Sequence, residues 1–112
     1  MKEVDKLIRD NIPEILDKKW ITYKTEVSSW DKLKEYIIKK IIEEVQELID
    51  ANNWQDKNKI VWEIVDVTDI IKKYCKEMWI TEEEIEKVRT QKNKERGWFD
   101  KWIILKILWN ES

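Results

Sequence analysis

The sequence predicts an all-α protein: a compact antiparallel bundle of about four helices joined by short connectors. Two observations carry that reading. Aliphatic residues recur every three or four positions through two long segments, the spacing that puts them on one face of an α-helix. Hydrophobic and charged residues are nearly balanced, at 42% and 41%, and the apolar share is rich in Ile, which suits amphipathic helices and not disorder. With 112 residues the chain has room for one modest core, so residues 1–112 read as a single domain.

The elements follow in order. Pro13 fits the first turn of a short helix through IPEILDKK, capped by Asp10 or Asn11. The next stretch, ITYKTEV, has β-branched residues in partial alternation, but seven residues cannot make a sheet alone, so it reads as a connector. Ser28 offers a cap for a helix from about Asp31 to Ala51, with Leu33, Ile37, Ile38, Ile41, Ile42, Val45, Leu48 and Ile49 on one face. The loop ANNWQDKN leads into a second long helix from about Lys57 to Met78, striped by Ile60, Ile64, Val67, Ile71, Tyr74, Cys75 and Met78. Thr81 and Glu84 form a capping box for a charged helix reaching about Arg96. The final WFDKWIILKILWNES is apolar and is expected to pack on the bundle or on a second subunit. Short helices with uncovered stripes call for a homodimer or higher homo-oligomer.

Composition excludes several function classes. A net charge of -2 provides no global field for DNA or an anionic membrane, so neither is an expected partner. With no His and one cysteine, Cys75, a zinc site of thiolates and imidazoles lacks ligands, and a reducing cytoplasm fits. No apolar run approaches the roughly 20 residues that span a bilayer, and MKEVDKLIRD is too charged for a signal peptide.

One feature of the composition is anomalous: one Gly and eight Trp, where average usage gives about eight Gly in this length. Trp20, Trp54 and Trp79 fall at helix ends or in a polar loop, where a chain often needs positive φ. That pattern is expected of a gene whose UGA codons specify glycine and are read as tryptophan. The competing reading is a core rich in tryptophan.

The second anomaly is acidic. At 100° per residue, Glu63 lies within the aliphatic stripe of the second long helix and Asp66 at its edge. On the first, Glu44 borders the arc beside Ile37 and Leu48, Glu47 lies one step further out, and Glu43 faces more toward solvent. The spacings ExxE and ExxD place each couple about one turn apart on a common side. No Lys, Arg or His is expected within the stripes. Ionised carboxylates in such a seam would cost several kcal/mol each without a counter-charge. The plain alternative is that all four sit on solvated faces. A hard divalent cation with oxygen ligands accounts for the set, and Mg²⁺, or Mn²⁺ in its stead, is the expected metal of Glu44, Glu47, Glu63 and Asp66.

These acids, E-E-x-x-E at Glu43, Glu44 and Glu47 and E-x-x-D at Glu63 and Asp66, resemble the motif of the MazG-like all-α nucleoside triphosphate pyrophosphohydrolases. The segments KLIRDNIPEIL, from Lys6 to Leu16, and KNKERGWFDKWIIL, from Lys92 to Leu105, resemble the ends of the phosphoribosyl-ATP pyrophosphohydrolase-like branch. There the patterns run approximately KLVRDKIPEII and KxxRGGFxKGI, so the likeness covers nearly the whole chain. It departs at Trp98 and Trp102, both standing where the branch has glycine; a genuine Trp98 would obstruct close approach of the backbone to a phosphate.

The resemblance implies Mg²⁺-dependent hydrolysis of the α,β phosphoanhydride of a nucleoside triphosphate to monophosphate and pyrophosphate. It implies Glu43 or Glu47 as the residue that orients or deprotonates water. Lys6, Arg9, Lys92, Arg96 and Lys101, with Gly97, are the implied phosphate contacts, and Asp10 either holds Arg9 or caps the first helix. A general or house-cleaning nucleoside triphosphate pyrophosphohydrolase is the preferred reading. Its rivals are a phosphoribosyl-ATP pyrophosphohydrolase of histidine synthesis and a helical dimerisation module without activity, in which the basic residues only decorate a solvated helix.

Overall fold

In a computed structural model, which describes residues 1–109, the described residues form four helices and no strand: α1 (Ile12–Lys18), α2 (Trp30–Asn53), α3 (Lys57–Glu77) and α4 (Glu82–Arg96). The all-α class is therefore the observed one, and each boundary lies within two residues of its expected place. By its internal contacts the chain divides into two compact units, Met1–Trp79 and Ile80–Ser112.

In the first unit, α2 and α3 pack against each other. Only three residues join them, which returns the chain alongside itself and makes an antiparallel hairpin. Asp56 starts α3: its carboxylate accepts from the backbone N–H groups of Asn58 at 3.1 Å and Lys59 at 3.3 Å, satisfying donors that a helix start leaves without partners. At α2 the N-cap is Ser29, without a side-chain cap bond; the Ser28 hydroxyl donates to the Ser29 carbonyl instead. α1 carries Pro at its start and Asn11 as N-cap, again without a side-chain bond. Residues 21–29 have no regular structure, as a connector should.

The expected apolar stripes divide between two faces. Ile37 and Ala51 of α2 are fully buried in the seam with α3, whereas Ile38, Ile42, Val45 and Ile49 stay exposed. Turning about 100° per residue puts those four within an arc of about 60°, roughly 120° around α2 from the line through Ile37, Glu44 and Ala51. On α3, Val61, Ile64 and Ile71 are exposed and stand in the same rotational relation to Glu63 and Val67. Because the helices are antiparallel, equal rotations bring both stripes to one side of the hairpin. The hairpin thus has a narrow internal seam and one continuous apolar face that the first unit leaves uncovered.

In the second unit, Thr81 caps α4 by accepting from the Glu84 N–H at 3.1 Å, half of the expected capping box. The helix ends at Gly97, φ 76°. Residues 98–109 carry no helix or strand, and Phe99, Ile103, Ile104, Leu105, Ile107 and Leu108 are exposed. The last three residues of the expected apolar tail lie outside the described ones.

Both caps should be measurable. Asp56→Ala and Thr81→Ala are each expected to lower stability by about 1 kcal/mol in denaturant unfolding, while Ser28→Ala, which removes no cap, should stay within ~0.5 kcal/mol of the parent.

Candidate active site

The site lies in the α2–α3 seam. One carboxylate oxygen from each of Glu44, Glu47, Glu63 and Asp66 lies within 4.8 Å of the others. Residues three apart on each helix share a side, and the antiparallel pairing sets the two couples opposite one another. Glu44 and Glu63 are the buried members, 5% and 8% exposed; Glu47 and Asp66 are intermediate. The wheel placed Glu63 deepest, but Glu44 is buried as fully. Its position beside Ile37 on the seam arc, and not at the edge of a single broad stripe, is the reason.

The seam contains cations that the stripe pattern did not reveal. Lys40, one turn before Glu44, places its Nζ 3.1 Å from Glu44 Oε1 and 3.4 Å from Glu43 Oε1. Arg9 reaches Asp66 Oδ1 at 2.7 Å and Asp69 Oδ2 at 3.0 Å. Lys6 binds Glu43 Oε1 at 3.0 Å. The expectation that no basic residue enters the stripes is therefore corrected. Lys40 could have been found from its i, i+4 relation to Glu44, whereas Arg9 arrives from a segment 57 residues away in sequence.

These ions do not balance the acids. Glu43, Glu44, Glu47, Glu63, Asp66 and Asp69 make six carboxylates; Lys6, Arg9 and Lys40 make three cations, leaving three negative charges if all are ionised. Two oxygens show where the deficit falls: Glu44 Oε2 and Glu63 Oε2 are buried and have no hydrogen-bond partner among the described residues. An unsatisfied buried carboxylate costs several kcal/mol, more than the ~0–1 kcal/mol of the exposed Lys6 and Arg9 pairs. The residues therefore fit a divalent cation, with hard oxygen donors on two sides and orphan oxygens at the deepest positions.

Proton affinities agree. Burial pushes the Glu44 carboxyl above the ordinary glutamate range and the adjacent Glu47 adds to it, against the pull of Lys40. Burial also acts to raise Glu43, but its contacts with Lys6 and Lys40 outweigh it and hold the carboxyl below its usual value. Lys40 loses water by burial, yet its two glutamates keep its pKa above the ordinary value. The Lys40–Glu44 pair thus leaves Glu44 incompletely compensated, because its second oxygen has nothing to bind.

The segment before α1 crosses the seam. Tyr36 of α2 donates to Asp5 at 2.6 Å, and the Lys6 and Arg9 contacts follow, one on each helix of the hairpin. Lys6 and Arg9 are thereby brought to the acid cluster. Asp10 does neither of the things expected of it: Arg9 is held by Asp66 and Asp69, and α1 is capped by Asn11. Lys92, Arg96, Gly97 and Lys101 belong to the second unit. A small crevice lined by Trp30, Leu33, Lys34, Glu77 and Met78 contains none of the expected site residues.

The raised Glu44 has a definite pH consequence. Without metal its contribution to folding is fully present below the ordinary carboxylate range and is lost as pH rises through its raised pKa. A divalent cation should therefore raise Tm more at pH 7 than at pH 5. Glu63→Gln should raise Tm without metal and abolish the cation-dependent increase; equal cation-dependent shifts in parent and variant would contradict the assignment.

The phosphoribosyl-ATP pyrophosphohydrolase family matches residues 1–93, which include all four clustered acids and the three basic residues at the cluster, Lys6, Arg9 and Lys40. The match runs from the first unit into the second. No curated protein matches the chain, and no solved structure does. With a match over most of its length and the acid motif assembled in three dimensions, the chain belongs to the phosphoribosyl-ATP pyrophosphohydrolase family, within the MazG-like all-α superfamily.

Proposed function

We propose that this protein hydrolyses the α,β phosphoanhydride bond of a nucleoside triphosphate, releasing the monophosphate and pyrophosphate, with Mg²⁺ or Mn²⁺ held by Glu44, Glu47, Glu63 and Asp66. The observation that supports this most directly is the pair of buried, unpartnered oxygens on Glu44 and Glu63 within four converging acids, in a chain of a pyrophosphohydrolase family. When bound, the cation supplies positive charge against the phosphate oxygens.

The chain's own residues divide the remaining work. Glu47, which has no ion pair among the described residues, orients the water and accepts its proton. Glu43 is the weaker candidate: Lys6 and Lys40 stabilise its ionised form, and a lowered pKa makes a poorer base. Its role is to position Lys6 and Lys40. Arg9, more than half exposed and already at the cluster, binds phosphate, for which a guanidinium is well shaped. Lys92, Arg96, Gly97 and Lys101, with Asp10, are further substrate contacts on the strength of the resemblance.

The matched family's own substrate, phosphoribosyl-ATP, supports a second reading that uses the same acids on the same type of bond. The segment KLIRD and the RG-x-F pattern favour the general or house-cleaning nucleoside triphosphate pyrophosphohydrolase. The family match runs over residues 1–93, across the boundary between the two units, and in keeping with it we read residues 1–112 as one domain. Among the described residues no helix is long and apolar enough to cross a membrane; with the free Cys75, we place the activity in the cytoplasm, without nucleic acid or membrane as partner.

The uncovered hairpin face suits a second copy of the chain. Among the described residues only Ile37 and Ala51 are buried and apolar, a small core for a chain of this size. Seven half-open aliphatic side chains offer roughly 600 Å², near the ~800 Å² per partner of a standard interface. Two such faces in contact would make a four-helix arrangement. Ile42→Glu should shift the protein to monomers in sedimentation; an unchanged oligomer would place the interface elsewhere.

Pyrophosphate release across standard and damaged nucleoside triphosphates and phosphoribosyl-ATP, with and without Mg²⁺, tests the activity. Glu63→Gln and Glu47→Gln should each reduce turnover by more than the ~10–100-fold typical of losing an outer-shell partner. Undiminished turnover in both would overturn the metal site, and no turnover on any substrate would favour the dimerisation module.

A further inference from the structure

The backbone contradicts the side chains at three tryptophans. Trp20, Trp79 and Trp102 have φ of 58°, 60° and 55°, and together with Gln55 they are the non-glycine residues at positive φ among those described. In this region Cβ crowds the neighbouring carbonyl, so bulky L-residues avoid it and glycine enters freely.

Two of the three occupy the position where helices most need glycine. α1 closes with the Trp20 N–H donating to the Asp17 carbonyl at 3.1 Å and the Ile21 N–H donating to the Leu16 carbonyl at 3.0 Å. That reciprocal pair is the Schellman motif, whose left-handed residue is usually Gly. At the end of α3 the Trp79 N–H donates to Lys76 at 3.3 Å in the corresponding way. α2 also turns left-handed, but at Gln55; Trp54 has φ -81°, so the expectation of positive φ at Trp54 is corrected by one residue.

Burial removes the ordinary explanation. All eight tryptophans are exposed, the least at 62%, so no tryptophan core exists to require them. Glycine at Trp62 would weaken the middle of α3, and nothing in that backbone asks for it; positive φ is confined, among the tryptophans, to Trp20, Trp79 and Trp102.

We propose that positions 20, 79 and 102 are glycine in the protein as its own organism makes it, specified by UGA codons read there as glycine. Helix ends that now hold an exposed indole in a disfavoured conformation would then carry the residue their hydrogen bonds call for. At 102 the glycine would also restore the Phe-x-Lys-Gly pattern of the resembling branch.

The test is the three codons together with peptide sequencing of the protein purified from its own cells. UGA at all three, with glycine in the corresponding peptides, is the expected result; UGG codons, or tryptophan in the peptides, overturns the proposal. A stability measurement bears on its physical basis. The triple variant Trp20→Gly, Trp79→Gly, Trp102→Gly should melt several degrees above the tryptophan protein, and an equal or lower Tm would remove the strain on which the inference stands.

Discussion

Two helices pack with glutamate where aliphatic side chains would ordinarily meet, and the rest of the first unit follows from that. Glu44 and Glu63 lie at the deepest level of the α2–α3 seam, each with one oxygen that no donor among the described residues reaches. Burial of this kind is tolerated only where something compensates it. Lys40 reaches one oxygen of Glu44, Arg9 takes Asp66, and Lys6 takes Glu43, yet the charges remain unequal. The fold therefore carries a deficit of positive charge at a fixed place, which is the condition for binding a cation.

The segment before α1 gains its order from the same deficit. It has no helix of its own up to Asn11, and its polar side chains are fixed by acids and by Tyr36 on the hairpin. Exposed ion pairs of this type contribute little stability, so their value lies in placement: they hold two cations beside the acids without filling the deep positions. In the proposed function Arg9 is poised between roles, since a metal would compete with it for Asp66, whereas a phosphate would compete with Asp66 and Asp69 for its guanidinium.

The uncovered apolar face and the exposed tryptophans have different origins. The aliphatic face is periodic, lies on both long helices and points to one side of the hairpin, as a surface that meets another surface does. The tryptophans share no such face. They are scattered over helix ends, a helix interior and the C-terminal segment, and three stand where the backbone conformation suits glycine.

The sequence by itself determined the helices, because periodicity, Pro13, the Thr81 cap and the polar connectors act over a few residues and need no tertiary partner. It also determined the four acids, since ExxE and ExxD spacing places each couple on one side of its own helix. Tertiary structure alone decided which part of each broad apolar arc became the internal seam. A wheel fixes angles around one axis and says nothing of the direction from which a neighbour comes, so Glu44 read as a border residue until α3 packed over it. The same limit concealed Arg9: its partners lie 57 and 60 residues away, and only the antiparallel return of α3 puts them within reach. Trp54 is the smallest case. The need for a left-handed residue at the end of α2 was legible, but the hydrogen bond that closes the helix moved it to Gln55.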